Sequence, residues 1–97
     1  MTTMRAIVME AVGDADVLAS ADVDRPVAVG SEFLIRVVAA GVNPFDVKTR
    51  AGAGAASAIA AFPVILGQDF SGVVVESPYE AHSLQPGDEV FGMTPAP

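Results

Sequence analysis

Asn43, in the run Ala40-Gly41-Val42-Asn43-Pro44-Phe45-Asp46, and the pair Gln68-Asp69, in Leu66-Gly67-Gln68-Asp69-Phe70-Ser71-Gly72-Val73-Val74, are the residues of this sequence best placed to do chemistry. Each site lies where an apolar run meets polar residues. A carboxamide or carboxylate at a strand end can orient a small molecule through hydrogen bonds, and two such ends can face one cleft. Each site also has a plainer reading. Asn is a preferred N-cap residue, so Asn43 caps a helix, holds a ligand, or does both. Gln68 and Asp69 lie among Val64, Ile65, Leu66 and Phe70, where burying a polar group without a partner is costly. One of the pair is therefore expected to be hydrogen-bonded inside the domain or to face a ligand.

Other candidate chemistry is weaker. Gly52-Ala53-Gly54-Ala55-Ala56-Ser57 superficially resembles a dinucleotide fingerprint. That fingerprint needs a buried strand before it and a small residue at its third packing position. Here the preceding residues 46–50 read as a helix, and the third position is Ser57, so the stretch is read as a helix exit running into a flexible loop. His82, the single histidine, lies between Ala81 and Ser83 in a polar segment and is expected to be solvated. With no cysteine and one histidine, disulfides, thiolate nucleophiles, cysteine-ligated zinc and histidine-cluster metal sites are excluded.

Composition narrows the partners. Ninety-seven residues make one small domain, and half of them are apolar, so a core is available. The formal charge is −7 and the five cations (Arg5, Arg25, Arg36, Lys48, Arg50) are scattered. No basic patch exists to release counterions from a phosphate backbone, which argues against nucleic acid. The same imbalance disfavours anionic membrane surfaces. Residues 51–68 carry no charge, but they are mostly Ala and Gly and are cut by Pro63, so they are not read as a membrane span. The N-terminus lacks the apolar core of a signal peptide, and the absence of cysteine fits a reducing cytoplasm, which is the expected location.

The elements that must position these residues follow from local pattern. Residues 5–10 and 17–23 read as two strands joined by the turn chemistry of Gly13-Asp14-Ala15-Asp16, and are expected to pair as a hairpin. Residues 32–40 give the strongest strand signal. Phe33, Ile35 and Val37 fall on one face; Leu34, Arg36 and Val38 fall on the other, which Arg36 places near solvent or a carboxylate. Asn43 then opens a short helix over about residues 44–51, with Pro44 at its first position, Asp46 three residues after the cap, and Lys48 and Arg50 in the last turn. Gly52 suits the left-handed exit. Residues 53–61 fit either a helical turn or a loop. Residues 70–76 read as a strand with Gly72 at a bend or bulge. Gln85-Pro86-Gly87-Asp88 is a type II turn signature leading into a last strand over 89–93. Many short strands with one short helix predict a mainly β fold, a small barrel or sandwich with a helical insertion.

Five ordered motifs carry a family resemblance: Met4-Arg5-Ala6-Ile7-Val8, Phe33-Leu34-Ile35-Arg36-Val37, residues 39–46, residues 63–74, and Pro86-Gly87-Asp88-Glu89-Val90-Phe91-Gly92. Over nearly its whole length the chain resembles the N-terminal GroES-like catalytic domain of the medium-chain dehydrogenase/reductase superfamily. Within it the chain is most similar to the zinc-independent, zeta-crystallin-like quinone oxidoreductases. The resemblance implies a partly open GroES-like β-barrel. In zinc-dependent members a cysteine ligand occupies the place of Asn43, and a histidine and a glutamate occupy those of Gln68 and Asp69, so it also implies a reductase without zinc. NADPH is the implied cofactor, with Asn43 and Pro44 beside the nicotinamide. The implied chemistry is hydride transfer to a small apolar quinone or enone. Asn43 and Lys48 are the candidate hydrogen-bond donors to the substrate oxygen. Phe45, Gln68 and Asp69 are the candidate substrate contacts.

Family members hold most of the cofactor on a Rossmann domain, to which nothing in these residues corresponds. The chain is thus expected to be an incomplete catalytic domain, inactive alone, whose partner is a Rossmann-bearing segment or chain. The alternative is a non-catalytic interaction module that pairs through an open barrel edge with such a chain or with itself, as a homo-oligomer.

Overall fold

The computed structural model describes residues 2–95. β1 (Thr3–Met9) and β2 (Leu18–Asp24) form an antiparallel hairpin, in register from Thr3 opposite Asp24 to Met9 opposite Leu18. The turn between them carries a short 3-10 segment, Ala15–Val17. Exposure along β2 alternates residue by residue: Ala19, Ala21 and Val23 are half-buried, while Leu18, Ser20, Asp22 and Asp24 are exposed. This is the period-two pattern of a strand with one covered face.

A second sheet contains β3 (Leu34–Ala40), β4 (Asp69–Glu76) and β5 (Glu89–Met93), all antiparallel in that order. The helix α1 (Pro44–Arg50) follows β3, and a 3-10 turn at Ala56–Ala58 resolves the open question over residues 53–61. The Gln85–Asp88 turn forms as expected, with Asp88 N–H donating to the Gln85 carbonyl at 3.0 Å and Gly87 at φ +96°. No helix among the described residues is long and apolar enough to cross a membrane.

The chain divides into two compact units. The first contains residues through Arg25 together with Val42–Gln68, and so holds the hairpin, α1 and the loop after it. The second contains Pro26–Gly41 and Asp69–Thr94, the three-stranded sheet. Fully buried apolar side chains are Val8 and Met9 in the first unit and Val74 in the second. Met9 exchanges backbone hydrogen bonds with Val64, its N–H donating at 2.7 Å and its carbonyl accepting at 3.1 Å. That bridge fixes the segment that leads to Gln68.

The expected bend or bulge at Gly72 is met by a register shift, since Val37 pairs with Gly72 and Ala39 with Ser71. Gly72 is also a close approach: a Cβ there would meet the Arg36 carbonyl oxygen and would lie 2.8 Å from Ile35 Cγ2. Two expectations need correction. The clean alternation along β3 fails, because the register shifts between Leu34 and Ile35 and again between Val37 and Ala39. His82 is not free in solvent. Its ring stands edge-on to Phe33 at 4.7 Å and tilted against Tyr79 at 5.2 Å, and its Nδ1 accepts from Leu84 N–H at 2.9 Å. Two aromatic neighbours on either side of the polar segment recruit the imidazole as a packing piece.

Candidate functional site

α1 begins where local chemistry dictates. Asn43 is the N-cap, in extended conformation at φ −120° and ψ 160°, and Pro44 follows at the first helical position. Asp46 closes a capping box with it, its carboxylate accepting from Asn43 N–H at 3.0 Å. Asp46 is only 8% exposed. A buried carboxylate is tolerable there because it accepts a backbone hydrogen bond and sits at the positive end of the helix dipole. The backbone of Asn43 is thereby pinned, which orients its side chain at the helix entrance.

Thr49 was not singled out by sequence reasoning, yet it organises this region. It is 1% exposed. Its hydroxyl donates to the Phe45 carbonyl at 2.9 Å and accepts from Ala55 N–H at 3.1 Å. One side chain thus ties the 53–61 loop to α1. Gly54 completes the junction, since a Cβ there would lie 2.5 Å from Thr49 Oγ1 and the residue adopts φ +51°. The available signal was spacing. Asp46 and Thr49 are three apart and share a helical face, but a buried face made of polar residues escapes a search for apolar periodicity. Replacing Thr49 with valine keeps the shape and strands Ala55 N–H, which is expected to cost about 1–3 kcal/mol. Urea denaturation of the Thr49→Val chain measures that loss, and hydrogen exchange should localise it to residues 53–58.

Arg50 anchors the other end of the helix. Its Nη1 donates to the Gly13 carbonyl at 2.6 Å, and Gly13 N–H returns a bond to the Arg50 carbonyl at 2.9 Å. Lys48 and Pro44 are exposed, and Phe45 is 38% exposed. Asn43, Pro44, Phe45 and Lys48 therefore sit together on one cap and its helix. Gln68 belongs to the same unit, whereas Asp69 opens β4 in the other. Gln68 and Asp69 are both half-buried, and neither lacks a partner. The Asp69 carbonyl accepts from Gly41 N–H at 2.9 Å, which joins the end of β3 to the start of β4.

A dinucleotide does not fit the glycine-rich stretch. Residues 52–57 leave a helix rather than a strand, and Gly54 is packed against its own helix instead of presenting backbone to phosphates. Among the described residues no group of three or more His, Asp or Glu side chains is gathered to hold a metal ion.

The alcohol dehydrogenase GroES-like domain family matches residues 29–96. The mouse mitochondrial NAD(P)H oxidoreductase RTN4IP1 is 40% identical over 77 residues, covering 67% of this chain and 19% of that protein. The chloroplastic NADPH-dependent alkenal/one oxidoreductase of Arabidopsis thaliana is 37% identical over 89 residues, covering 91% of this chain and 23% of that one. The solved quinone oxidoreductase from Coxiella burnetii superposes with a TM-score of 0.86 at 37% identity, over 95% of this chain and 30% of its own. The chain thus spans between 19% and 30% of the length of these relatives. A mainly β chain with two open sheets, a capped helix after its third strand and this match belongs to the alcohol dehydrogenase GroES-like domain family, in the medium-chain dehydrogenase/reductase superfamily.

Proposed function

We propose that this chain is the substrate-side part of an NADPH-dependent, zinc-free oxidoreductase that reduces quinones or enones, with the dinucleotide held by a Rossmann-bearing segment or chain. The observation that carries this reading is the match over 95% of the chain to a solved quinone oxidoreductase. The Arabidopsis relative, described as an NADPH-dependent alkenal/one oxidoreductase, supports the same substrate class. The zinc-free reading is supported by the residue types at 43, 68 and 69, where a carboxamide, a carboxamide and a carboxylate stand in place of a thiolate, an imidazole and a carboxylate. The lack of cysteine supports a reducing compartment such as the cytoplasm.

In this proposal the chain's residues position and polarise the substrate. Reduction of a quinone or enone builds negative charge on a carbonyl oxygen, and a preorganised donor aimed at that oxygen lowers the barrier. The Asn43 amide, oriented by its pinned backbone, is the first donor, and the exposed Lys48 ammonium is the second. Pro44 packs against the nicotinamide; Phe45, Gln68 and Asp69 line the substrate.

Two measurements test this. Fluorescence titration of the 97-residue chain with NADPH is expected to show no saturable binding; saturable binding would refute the division of labour. Fused ahead of the nucleotide-binding part of the Coxiella relative, the chain is expected to reduce simple quinones with NADPH. In that fusion Asn43→Ala should lower kcat by about 10²-fold, the scale of removing one oxyanion donor. A folded fusion with no turnover refutes the function, and an unchanged kcat in the variant leaves Asn43 a helix cap alone.

A further inference from the structure

The connection between β4 and β5, residues 77–88, folds on itself around His82. The backbone N–H of His82 donates to the Tyr79 carbonyl at 3.1 Å. Its carbonyl accepts from Gln85 Nε2, which also donates to the Glu80 carbonyl at 2.9 Å. Its ring Nδ1 accepts from Leu84 N–H at 2.9 Å, and the Leu84 carbonyl accepts from Ser77 Oγ. Phe33 and Tyr79 flank the imidazole at 4.7 Å and 5.2 Å. All of these residues belong to the second compact unit.

We propose that the His82–Leu84 hydrogen bond is a proton-operated latch, closed by the neutral imidazole and opened by the imidazolium, which moves the connection between two local arrangements while the sheet stays folded. A ring nitrogen accepts a hydrogen bond only while it is unprotonated, so the bond from Leu84 fixes a neutral ring with its proton on Nε2. Once Nδ1 is protonated, a donor faces a donor. The ring must then turn or Leu84 must swing away. The aromatic neighbours make that second state accessible. Both ring centroids lie within the roughly 6 Å over which a cation is attracted to an aromatic ring. What the imidazolium loses at Leu84 is therefore offset at Phe33 and Tyr79. The spacing is that of an Asx turn, in which a side-chain acceptor takes the N–H two residues on. An Asn there would accept at every pH, whereas histidine releases the bond on protonation.

The titratable and charged groups on the segments packed around the ring are Glu32 and Arg36 on either side of Phe33, and Glu76, Tyr79, Glu80 and Asp88 along the connection and the end of β4. Glu32 Oε1 accepts from Val29 N–H at 3.0 Å, and Asp88 Oδ2 accepts from Gln85 N–H at 2.8 Å. Among the described residues no carboxylate forms an ion pair with His82. The nearest partners of the ring are thus two aromatic rings and one backbone N–H, and only the N–H discriminates sharply between its two protonation states. The ends of the connection are anchored independently. Gly87 N–H donates to the Val74 carbonyl and Val74 N–H to the Asp88 carbonyl, each at 2.9 Å. Those bonds survive the opening of the latch, so the change is confined to residues 77–85.

Nuclear magnetic resonance of the 97-residue chain from about pH 8 to about pH 5, the span in which histidine changes charge, tests this directly, and the ring signals are unambiguous because the chain has one histidine. The expected result is an unprotonated Nδ1 at the upper end and a Leu84 amide that shifts with the same midpoint as the imidazole, while circular dichroism stays constant. His82→Asn keeps an acceptor two residues before Leu84, so its Leu84 amide should hold one position across the range. His82→Phe keeps a ring and removes the acceptor, so its Leu84 amide should sit at the open position throughout. At a single pH, hydrogen exchange at Leu84 should be about three- to tenfold faster in His82→Phe than in His82→Asn, the scale of one hydrogen bond. A Leu84 amide that ignores the imidazole titration of the native chain overturns the proposal, whatever the variants do. So does a proton on Nδ1 at about pH 8, or global unfolding at the imidazole midpoint. None of these readouts depends on NADPH or on turnover.

Discussion

Gly72→Ala is expected to destabilise the protein by about 2–3 kcal/mol, the cost of forcing one methyl into a packed interior. Elsewhere in a strand this exchange would help slightly, since glycine in an ordered segment costs roughly 0.5–1 kcal/mol relative to alanine. Here the new Cβ would be driven into the Arg36 carbonyl oxygen and against Ile35 Cγ2 at 2.8 Å. A carbonyl in a sheet ladder cannot swing away as a flexible side chain would, so the clash outweighs the propensity. The two strands must separate, and the Gly41–Asp69 hydrogen bond at their far end lies on the same ladder. Urea denaturation gives the loss, and hydrogen exchange should show it first in β3 and β4. An equally stable Gly72→Ala chain would mean that the strands are not held this close.

The second large effect lies in the hairpin unit. Met9→Ala should cost about 3 kcal/mol, within the range for truncating a buried methionine. Met9 is 0% exposed, and with Val8 at 2% it makes up the fully buried apolar core described in this unit. In a domain whose whole stability is about 5–15 kcal/mol, that is a large fraction. The backbone bridge to Val64 survives the substitution, so the loss measures side-chain packing. Ile7→Ala, two residues along the same strand at 58% exposure, supplies the contrast and should cost under about 1 kcal/mol. Thermal or urea unfolding of both variants checks the difference, and equal losses would show that burial does not govern this strand.

These two residues show where sequence reading stops. Ile7 and Met9 have the same parity and similar size in β1, and nothing local distinguishes them. Met9, unlike Ile7, is paired through its backbone to residue 64, more than fifty positions away, a neighbour that nothing local supplies. Thr49 gives the same lesson on α1, since its role depends on a loop that folds back from residue 55. The bulge at Val37–Ala39 breaks an alternation that the residues themselves keep. His82 has a polar immediate context and an aromatic spatial one.

Features set by interactions within a few residues are legible in the chain alone. The helix start at Asn43-Pro44 with Asp46, the turn at Gln85–Asp88, and the strands that became β2, β3, β4 and β5 all follow from torsional preference, capping and alternation, because those free energies depend only on neighbours in the chain. The ordered motifs further identified the family, since they fix strand ends and turns in sequence order. Which side chains are buried and which glycine admits no Cβ emerge only in the folded chain, because each depends on a segment that arrives from elsewhere in the sequence.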